Sequence, residues 1–268
     1  MAAPSPSGDR FVRVRAPGGA AYAVHRDDLL LLLDGPPWAG ARETGERVAA
    51  AGAELLCPCE PTKVVCVGLN YLLHVAESAS RSTVPDEPVL FLKPPSALLP
   101  PLGVIVLPEG AGRVDHEAEM AVVVGRRLRR ATAAEARAAI FGVTAVNDVT
   151  ARELQKKDVQ WTRGKGFDTF CPCGPAVVRG VDPDALAVWA AVNGVRRQDG
   201  HTRDLIVKSA ELVAFISRVM TLEPGDVVST GTPAGVGPLA AGDVVEIGVE
   251  GVGTLFNPVA AESPRPGG

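Results

Sequence analysis

Two acidic residues lie two positions apart in an otherwise apolar stretch of this 268-residue chain. The stretch 114–124 is rich in β-branched and apolar residues, which predicts a β-strand. Because side chains alternate between the two faces of a strand, Glu117 and Glu119 would point the same way. Two carboxylates on one apolar face repel each other and resist burial. Either this face is exposed to solvent, or a hard cation such as Mg²⁺, which prefers oxygen ligands, compensates the charge.

A third acidic residue, Asp148, follows the next apolar run at 141–147. An acidic residue in such a place often caps the following helix, and the next residues resemble a helical turn. Asp148 is therefore a candidate helix cap and also a candidate third metal ligand. Arg152 and Gln155 lie one turn apart after it and could share a face with it.

Three further residues have types suited to acid–base or electrostatic catalysis. On a helix, His74 and Glu77 would lie on one face, where a carboxylate can orient an imidazole and raise its basicity. Taken alone, this pair fits an incidental surface ion pair better. Lys165 lies among aromatic and small residues. It is either desolvated and directed at an anion, or it extends from a loop into solvent.

A glycine-rich turn at 230–237 offers backbone N–H groups and hydroxyls, including that of Thr232, to a carboxylate or enolate. It lacks the Gly-Lys-Thr order of a nucleotide-binding loop. Two Cys-Pro-Cys pairs lie at 57–59 and 171–173. They lack the two-residue spacer of zinc knuckles, so buried free thiols are favoured over zinc.

The composition is that of a globular protein, with 46% apolar residues, 22% charged residues and a net charge of −4. No basic run is long enough to follow a phosphate backbone, so we expect no nucleic acid partner. The apolar run Leu29–Leu33 is too short to span a bilayer, and the chain does not open with a secretory signal pattern. We therefore expect a cytoplasmic protein without membrane contact.

Prolines near residue 60 suggest a division of the chain. We predict a small N-terminal domain over 1–60 with disordered first residues (1–9), a catalytic domain over 61–261 and a disordered tail over 262–268. In the first domain, strands are expected around a Pro-Gly-Gly turn, and helices near 26–34 and 41–53. These elements make it an α+β domain.

Strands dominate the larger predicted domain. The strongest hairpin signal is the Asn193-Gly194 pair between two β-like runs. Apolar residues at helical spacing predict a helix within 205–220, and an alanine-rich stretch at 131–139 predicts a short one. The strands do not alternate regularly with helices, which disfavours Rossmann and barrel enzymes and predicts a mixed β-rich α+β fold.

Taken in order, these motifs resemble the fumarylacetoacetate hydrolase family over roughly residues 63–259. The matching stretches are 67–71 with His74 and Glu77, 91–94 with Ser96, 115–119, 147–148 with Arg152 and Gln155, 165–168, 171–175, 193–198, and 221–226 running into 230–237.

The resemblance implies the β-roll fold of that family, a small N-terminal domain and a homodimer. It implies that Mg²⁺ or Mn²⁺ is bound by Glu117, Glu119 and Asp148, and that Lys165 stabilises an enolate. It places His74 and Glu77 on a mobile lid at 70–86, where they activate water. It also implies a set of substrate-binding residues. These are Tyr71, Arg152, Gln155 and Thr232.

The implied activity is hydrolysis of a C–C bond in a 2-oxo acid or 1,3-dicarbonyl such as an acylpyruvate. The same site could instead serve decarboxylation, tautomerisation, hydration, lyase or ring-forming chemistry, or a homologue that binds a ligand without turnover. The His74–Glu77 pair favours hydrolysis or decarboxylation over isomerisation. Leu72, Leu73 and Phe256 replace residues that are often polar in the family, so substrates with an apolar distal group are predicted.

Overall fold

The computed structural model describes residues 8–77 and 84–263. The strands in these ranges are β1 (Asp9–Ala16), β2 (Gly19–Arg26), β3 (Leu29–Leu33), β4 (Glu43–Ala49), β5 (Leu55–Leu56), β6 (Val64–Gly68), β7 (Val89–Lys93), β8 (Leu98–Leu99), β9 (Ile105–Leu107), β10 (Val114–His116), β11 (Ala118–Val124), β12 (Ile140–Asn147), β13 (Thr150–Ala151), β14 (Cys171–Arg179), β15 (Ala187–Val192), β16 (Val195–His201), β17 (Val227–Ser229), β18 (Gly237–Pro238), β19 (Val244–Val249) and β20 (Gly253–Ala261). The helices are α1 (Leu72–Glu77), α2 (Ala133–Arg137), α3 (Arg152–Lys157), α4 (Thr162–Lys165) and α5 (Ser209–Val219).

The strands form three sheets. The largest has the order β4-β3-β2-β1-β14-β12-β11-β17-β6-β7, with β5 on β1 and β8 on β14. A five-stranded sheet has the order β16-β15-β19-β20-β9, and a three-stranded sheet the order β13-β10-β18. Most neighbours are antiparallel, whereas β6 with β17, β8 with β14 and β9 with β20 run parallel. This mixed, β-rich architecture confirms the predicted fold class.

The central strand β11 is buried along its whole length, because both of its faces are covered. Met120 and Val122 pack in the core shared with the five-stranded sheet and α5. Ala121 and Val123 pack in the core on the opposite side, with apolar residues of β6 and β14. A strand covered on both faces needs a continuous apolar sequence, which explains why 118–124 carries one acid, Glu119, at its start.

The predicted hairpin is confirmed by the pairing of β15 with β16. Its turn residues Asn193 and Gly194 have φ angles of 53° and 74°, a conformation that these residue types tolerate. Helix α5 confirms the helix expected within 205–220, and α2 the shorter one.

The helices predicted near 26–34 and 41–53 are wrong. The first range contains β3 and the second β4, and these strands pair with each other. Five consecutive leucines have no helical periodicity, and strand pairing overrides the helix-forming residues of β4. The described N-terminal segment is therefore built of strands and one 3-10 turn instead of an α+β domain. Through β1 and β14 it also joins the large sheet.

The expected disorder at the two ends does not include Asp9 or Glu262. Asp9 begins β1, and Glu262 donates its backbone N–H to the carbonyl of Leu107 at 2.9 Å. Residues 1–7 and 264–268 lie outside the described residues. Within the described ranges, no helix is both long and apolar enough to cross a membrane.

Candidate active site

The candidate site lies at one edge of the large sheet, where β6, β12 and β17 end and β11 begins. Strands β6 and β17 are parallel, so their carboxyl ends meet at the same edge. The antiparallel pairing of β11 with β12 and β17 brings its first residues to that edge. Side chains that are far apart in the sequence therefore converge there.

The three predicted metal ligands converge at this edge. Carboxylate oxygens of Glu117, Glu119 and Asp148 lie within 4.8 Å of one another, and all three residues are buried. Their burial excludes the interpretation of Glu117 and Glu119 as a solvent-facing pair. Asp148 does not cap α3, which begins without a side-chain cap.

The alternation argument for the first two acids is wrong in one detail. The predicted strand is interrupted at Glu117, which separates β10 from β11. There the backbone N–H of Glu117 donates to the side-chain oxygen of Asn147 at 3.0 Å instead of to a backbone carbonyl of a neighbouring strand. The amide of Asp148 then donates to the carbonyl of Glu117 at 2.9 Å, which fixes the two acidic segments together.

Lys165 is buried, as the sequence reasoning allowed, and lies at the end of α4. Its ammonium group donates to Glu117 at 2.9 Å and to Asp148 at 2.5 Å, and lies 4.7 Å from the centre of the Phe91 ring. Burial alone would lower the pKa of Lys165. The carboxylates of Asp148 and Glu117 outweigh that effect and raise its pKa, so the side chain is cationic.

The two glutamates are in opposite electrostatic situations. Burial would raise the pKa of Glu117, but the cations of Lys165 and Arg152 hold that pKa well below its ordinary value. Glu119 accepts hydrogen bonds from the Ser229 hydroxyl at 2.5 Å and the Gly231 amide at 2.9 Å, which are neutral donors. Burial, together with the nearby charges of Asp148 and Glu117, raises the pKa of Glu119 to about 8.

These residues fit a divalent cation. Three buried carboxylates close together repel one another. Among the described residues, Lys165, Lys93 and Arg152 pair with Glu117 or Asp148, whereas Glu119 forms no ion pair. The donor set consists of oxygens, which suits hard cations such as Mg²⁺ and Mn²⁺. Glu117, Glu119 and Asp148 could therefore hold such an ion.

Arg152 and Gln155 line the same cavity. The Arg152 guanidinium donates to Asp115 at 2.8 Å and to Gln155 at 3.0 Å, and lies 2.6 Å from a Glu117 oxygen. Thr232 also lines the cavity, and its hydroxyl donates to the carbonyl of Ala118 at 2.9 Å. The structure thus places three of the four predicted substrate-binding residues at the cavity.

The fourth, Tyr71, is buried but does not contribute to the cavity lining in the described part of the chain. Its hydroxyl has no hydrogen-bond partner among the described residues. Burial, with the charge of Glu119 nearby, raises the pKa of Tyr71, so the phenol is neutral. A direct substrate contact by Tyr71 stays a prediction.

His74 lies on α1, is buried and lines the cavity. Glu77 ends that helix, and its side chain lies outside the described structure, so the pairing with His74 stays a prediction. Residues 78–83 of the predicted lid also lie outside the described residues. Leu72 and Leu73 are 62% and 73% exposed and do not line the cavity, and neither does Phe256. Among the described residues, these three side chains therefore give no support to the predicted preference for an apolar distal group, which stays a prediction.

The cavity has a volume of about 220 Å³, below the roughly 300–1,000 Å³ that is typical of pockets for drug-sized ligands. Gly68 and Trp161 lie on one wall, and a Cβ atom at Gly68 would come within 2.8 Å of the Trp161 ring. Arg113 and Lys156 also contribute to the lining. Such a cavity suits a small charged substrate.

Comparison with known families identifies the chain. A family model described as fumarylacetoacetate (FAA) hydrolase C-terminal matches residues 63–260, which is more than half of the chain. The chain belongs to the fumarylacetoacetate hydrolase family. A second model, described as Rv2993c-like, N-terminal, matches residues 9–58. The family resemblance inferred from the sequence is therefore confirmed.

Three members of the family carry informative names. The human mitochondrial oxaloacetate tautomerase FAHD2A is 41% identical over 211 residues, covering 74% of this chain and 67% of the relative. The crystal structure of 2-hydroxyhepta-2,4-diene-1,7-dioate isomerase from Mycobacterium marinum has a TM-score of 0.88 and 42% identity, covering 96% and 100% of the chains. Maleylpyruvate hydrolase from Sphingobium sp. SYK-6, with manganese(II) ion and pyruvate, has a TM-score of 0.77 and 28% identity, covering 95% and 100%.

Sequence reasoning missed the site role of Lys93 in this family member. Its side chain is fully buried, and its ammonium group lies 2.8 Å from Asp148 and donates to the carbonyls of Val149, Lys165 and Phe170. A lysine at the end of an apolar strand, directly before two prolines, was the available signal.

Gln198 was noted in the family motif without a role. It accepts a hydrogen bond from the backbone N–H of Ala118 at 2.9 Å, and its amide donates to the Thr232 hydroxyl at 2.7 Å. It therefore joins the start of β11 to the glycine-rich turn. No local pattern in the sequence indicates this contact, because Gln198 belongs to a different sheet.

Proposed function

We propose that this protein is a divalent-metal-dependent tautomerase or isomerase of small 2-oxo acids, which moves a proton between C3 and the oxo oxygen. The observation that carries the proposal is the shared cavity. A buried carboxylate triad, the cation of Lys165 and the imidazole of His74 all line it. The named activities of the tautomerase and isomerase relatives, at 41% and 42% identity, support this choice.

The residues of the chain have distinct parts in the proposed reaction. His74 accepts the C3 proton and returns a proton to the oxygen of the enolate, because an imidazole can both accept and donate a proton. Lys165 remains cationic and stabilises negative charge as it develops on the oxo oxygen. Thr232 and Gln155 orient the substrate. A bound Mg²⁺ or Mn²⁺ would supply Lewis-acid polarisation of the carbonyl.

Hydrolysis of a C–C bond in an acylpyruvate-like substrate is the second candidate. It is favoured by the maleylpyruvate hydrolase, whose structure contains manganese(II) and pyruvate. Here His74 would deprotonate water for attack on the distal carbonyl, and cleavage would release an enolate that Lys165 stabilises. The proposed Glu77 contact would orient His74. Decarboxylation, hydration and ring-forming chemistry could use the same site, but no specific observation favours them over tautomerisation or hydrolysis.

The experiment compares two substrates with Mg²⁺ or Mn²⁺ present. Loss of the ultraviolet absorbance of enol-oxaloacetate measures tautomerisation, and mass spectrometry of acetylpyruvate products measures cleavage. We expect accelerated tautomerisation without cleavage, and loss of activity in Lys165→Met but not in the exposed control Lys157→Met. Cleavage of acetylpyruvate without tautomerisation would favour the hydrolase. Absence of both activities would contradict the proposal.

A further inference from the structure

We propose that Arg113 and Lys156 form an anion site at the cavity that selects 2-oxo acids with a second carboxylate. This inference rests on the proposed function and deepens it, because it names residues that set the substrate class. Both side chains line the same cavity as the carboxylate triad. Neither residue belongs to the predicted metal or catalytic set.

Arg113 is held in place while part of its guanidinium remains available. Its Nε and one terminal nitrogen donate to the two oxygens of Asp115 at 2.6 and 3.2 Å. The side chain is 54% exposed, and the other terminal nitrogen forms no hydrogen bond or ion pair with the described residues. Asp115 also accepts a hydrogen bond from Arg152, so its negative charge is shared between two cations. Arg113 therefore keeps positive charge and a donor for a further anion.

Lys156 lies on α3 and contributes to the cavity lining from that helix. It lies four residues after Arg152, on the same face of that helix. The backbone N–H of Arg152 donates to the carbonyl of Arg113 at 2.8 Å, so the segment that carries Arg113 is attached to the start of α3. No ion-pair partner of Lys156 is present in residues 8–77 and 84–263. Its ammonium group is available for a ligand.

The charges of the cavity support a dianionic ligand. The lining contains four acidic and four basic side chains, and their formal charges cancel. These residues are Asp115, Glu117, Glu119 and Asp148, and Arg113, Arg152, Lys156 and Lys165. Lys93, whose ammonium group lies 2.8 Å from Asp148 behind this lining, adds a further positive charge. A divalent cation held by the triad would increase the excess of positive charge, which favours a ligand with two carboxylates over one with a single carboxylate.

The test measures equilibrium binding by calorimetry in the presence of Mg²⁺. The two ligands differ only at the distal end, where 2-oxoglutarate has a carboxylate and 2-oxovalerate has a methyl group. We expect wild-type protein to bind 2-oxoglutarate at least about tenfold more tightly, as charge-assisted recognition of a second carboxylate requires. Lys156→Gln and Arg113→Gln should each weaken the binding of 2-oxoglutarate about five- to tenfold. Each should change the affinity for 2-oxovalerate by less than about twofold.

Lys157→Gln is the matched control, because it removes the same charge from the next, exposed residue, which does not line the cavity. It should leave both affinities within about twofold. Equal effects of Lys156→Gln and Lys157→Gln, or equal wild-type affinities for the two acids, would overturn the anion site and leave the tautomerase proposal standing. Binding of neither acid would overturn both proposals.

Discussion

Two lysines approach the two oxygens of one buried carboxylate, that of Asp148. Lys93 lies 2.8 Å from one oxygen and Lys165 lies 2.5 Å from the other. Lys93 also donates to the backbone carbonyl of Lys165 at 2.6 Å. At the scale of single residues, Lys93 therefore positions an acid of the triad and the lysine that we assign to enolate stabilisation.

Replacement of Lys93 should reveal this positioning. Lys93→Met would leave three buried carbonyls without their donor and would remove a cation that lies 2.8 Å from Asp148. We expect the free energy of unfolding, measured by urea titration, to fall by about 3–5 kcal/mol. The exposed control Lys157→Met should change it by less than about 0.5 kcal/mol. A Lys93→Met variant as stable as wild type would show that Lys93 is dispensable for the fold.

Glu119 should make metal binding pH-dependent. With a pKa near 8 in the metal-free protein, it carries a proton at neutral pH, and a cation must displace that proton. Affinity for Mg²⁺ should therefore rise about tenfold between pH 6 and 7, and level off above pH 8. Calorimetric titration across this range measures the effect. An affinity that is constant from pH 6 to 9 would contradict the assignment.

At the scale of elements, the sequence predicted the strands and the hairpin around the site, because β-branched runs and turn residues are local signals. It did not predict the interruption at Glu117, where the backbone N–H donates to a side-chain oxygen that is distant in the sequence, that of Asn147. It also assigned helices to β3 and β4, where pairing with neighbouring strands overrides local preference.

Helix α1 carries the proposed base. His74→Ala should reduce the rate of tautomerisation by about two to four orders of magnitude, the usual effect of losing a general base. Leu73→Ala is the control, because Leu73 is 73% exposed on the same helix and does not line the cavity. Steady-state kinetics with Mg²⁺ measures both variants. If kcat is the same in His74→Ala and Leu73→Ala, another group accepts the proton.

At the scale of the whole molecule, the site is assembled from loops at one edge of a sheet whose strand order does not follow the sequence. The side chain of Asn70, after β6, donates to the carbonyl of Thr230, after β17, at 2.8 Å. No local pattern reveals such a contact. The ordered motifs of a known family did indicate the carboxylate triad, Lys165 and His74, because these motifs together contain all of the site residues.

The homodimer remains an expectation from the family resemblance, and so does the cytoplasmic location. Light scattering coupled to size-exclusion chromatography should give a mass twice the 27.8 kDa of one chain. Measurement at two protein concentrations separates a stable dimer from a transient one, because a weak dimer dissociates on dilution. A mass of one chain at both concentrations would contradict the expectation.

The central claim is that the carboxylate triad makes enolisation of a 2-oxo acid depend on a divalent cation. Exchange of the C3 protons of 2-oxoglutarate for deuterium, followed by proton NMR in heavy water, tests it directly. We predict rapid exchange with Mg²⁺ or Mn²⁺, and loss of exchange in excess chelator and in a folded Glu119→Gln variant. Exchange at the full rate in excess chelator would contradict the account.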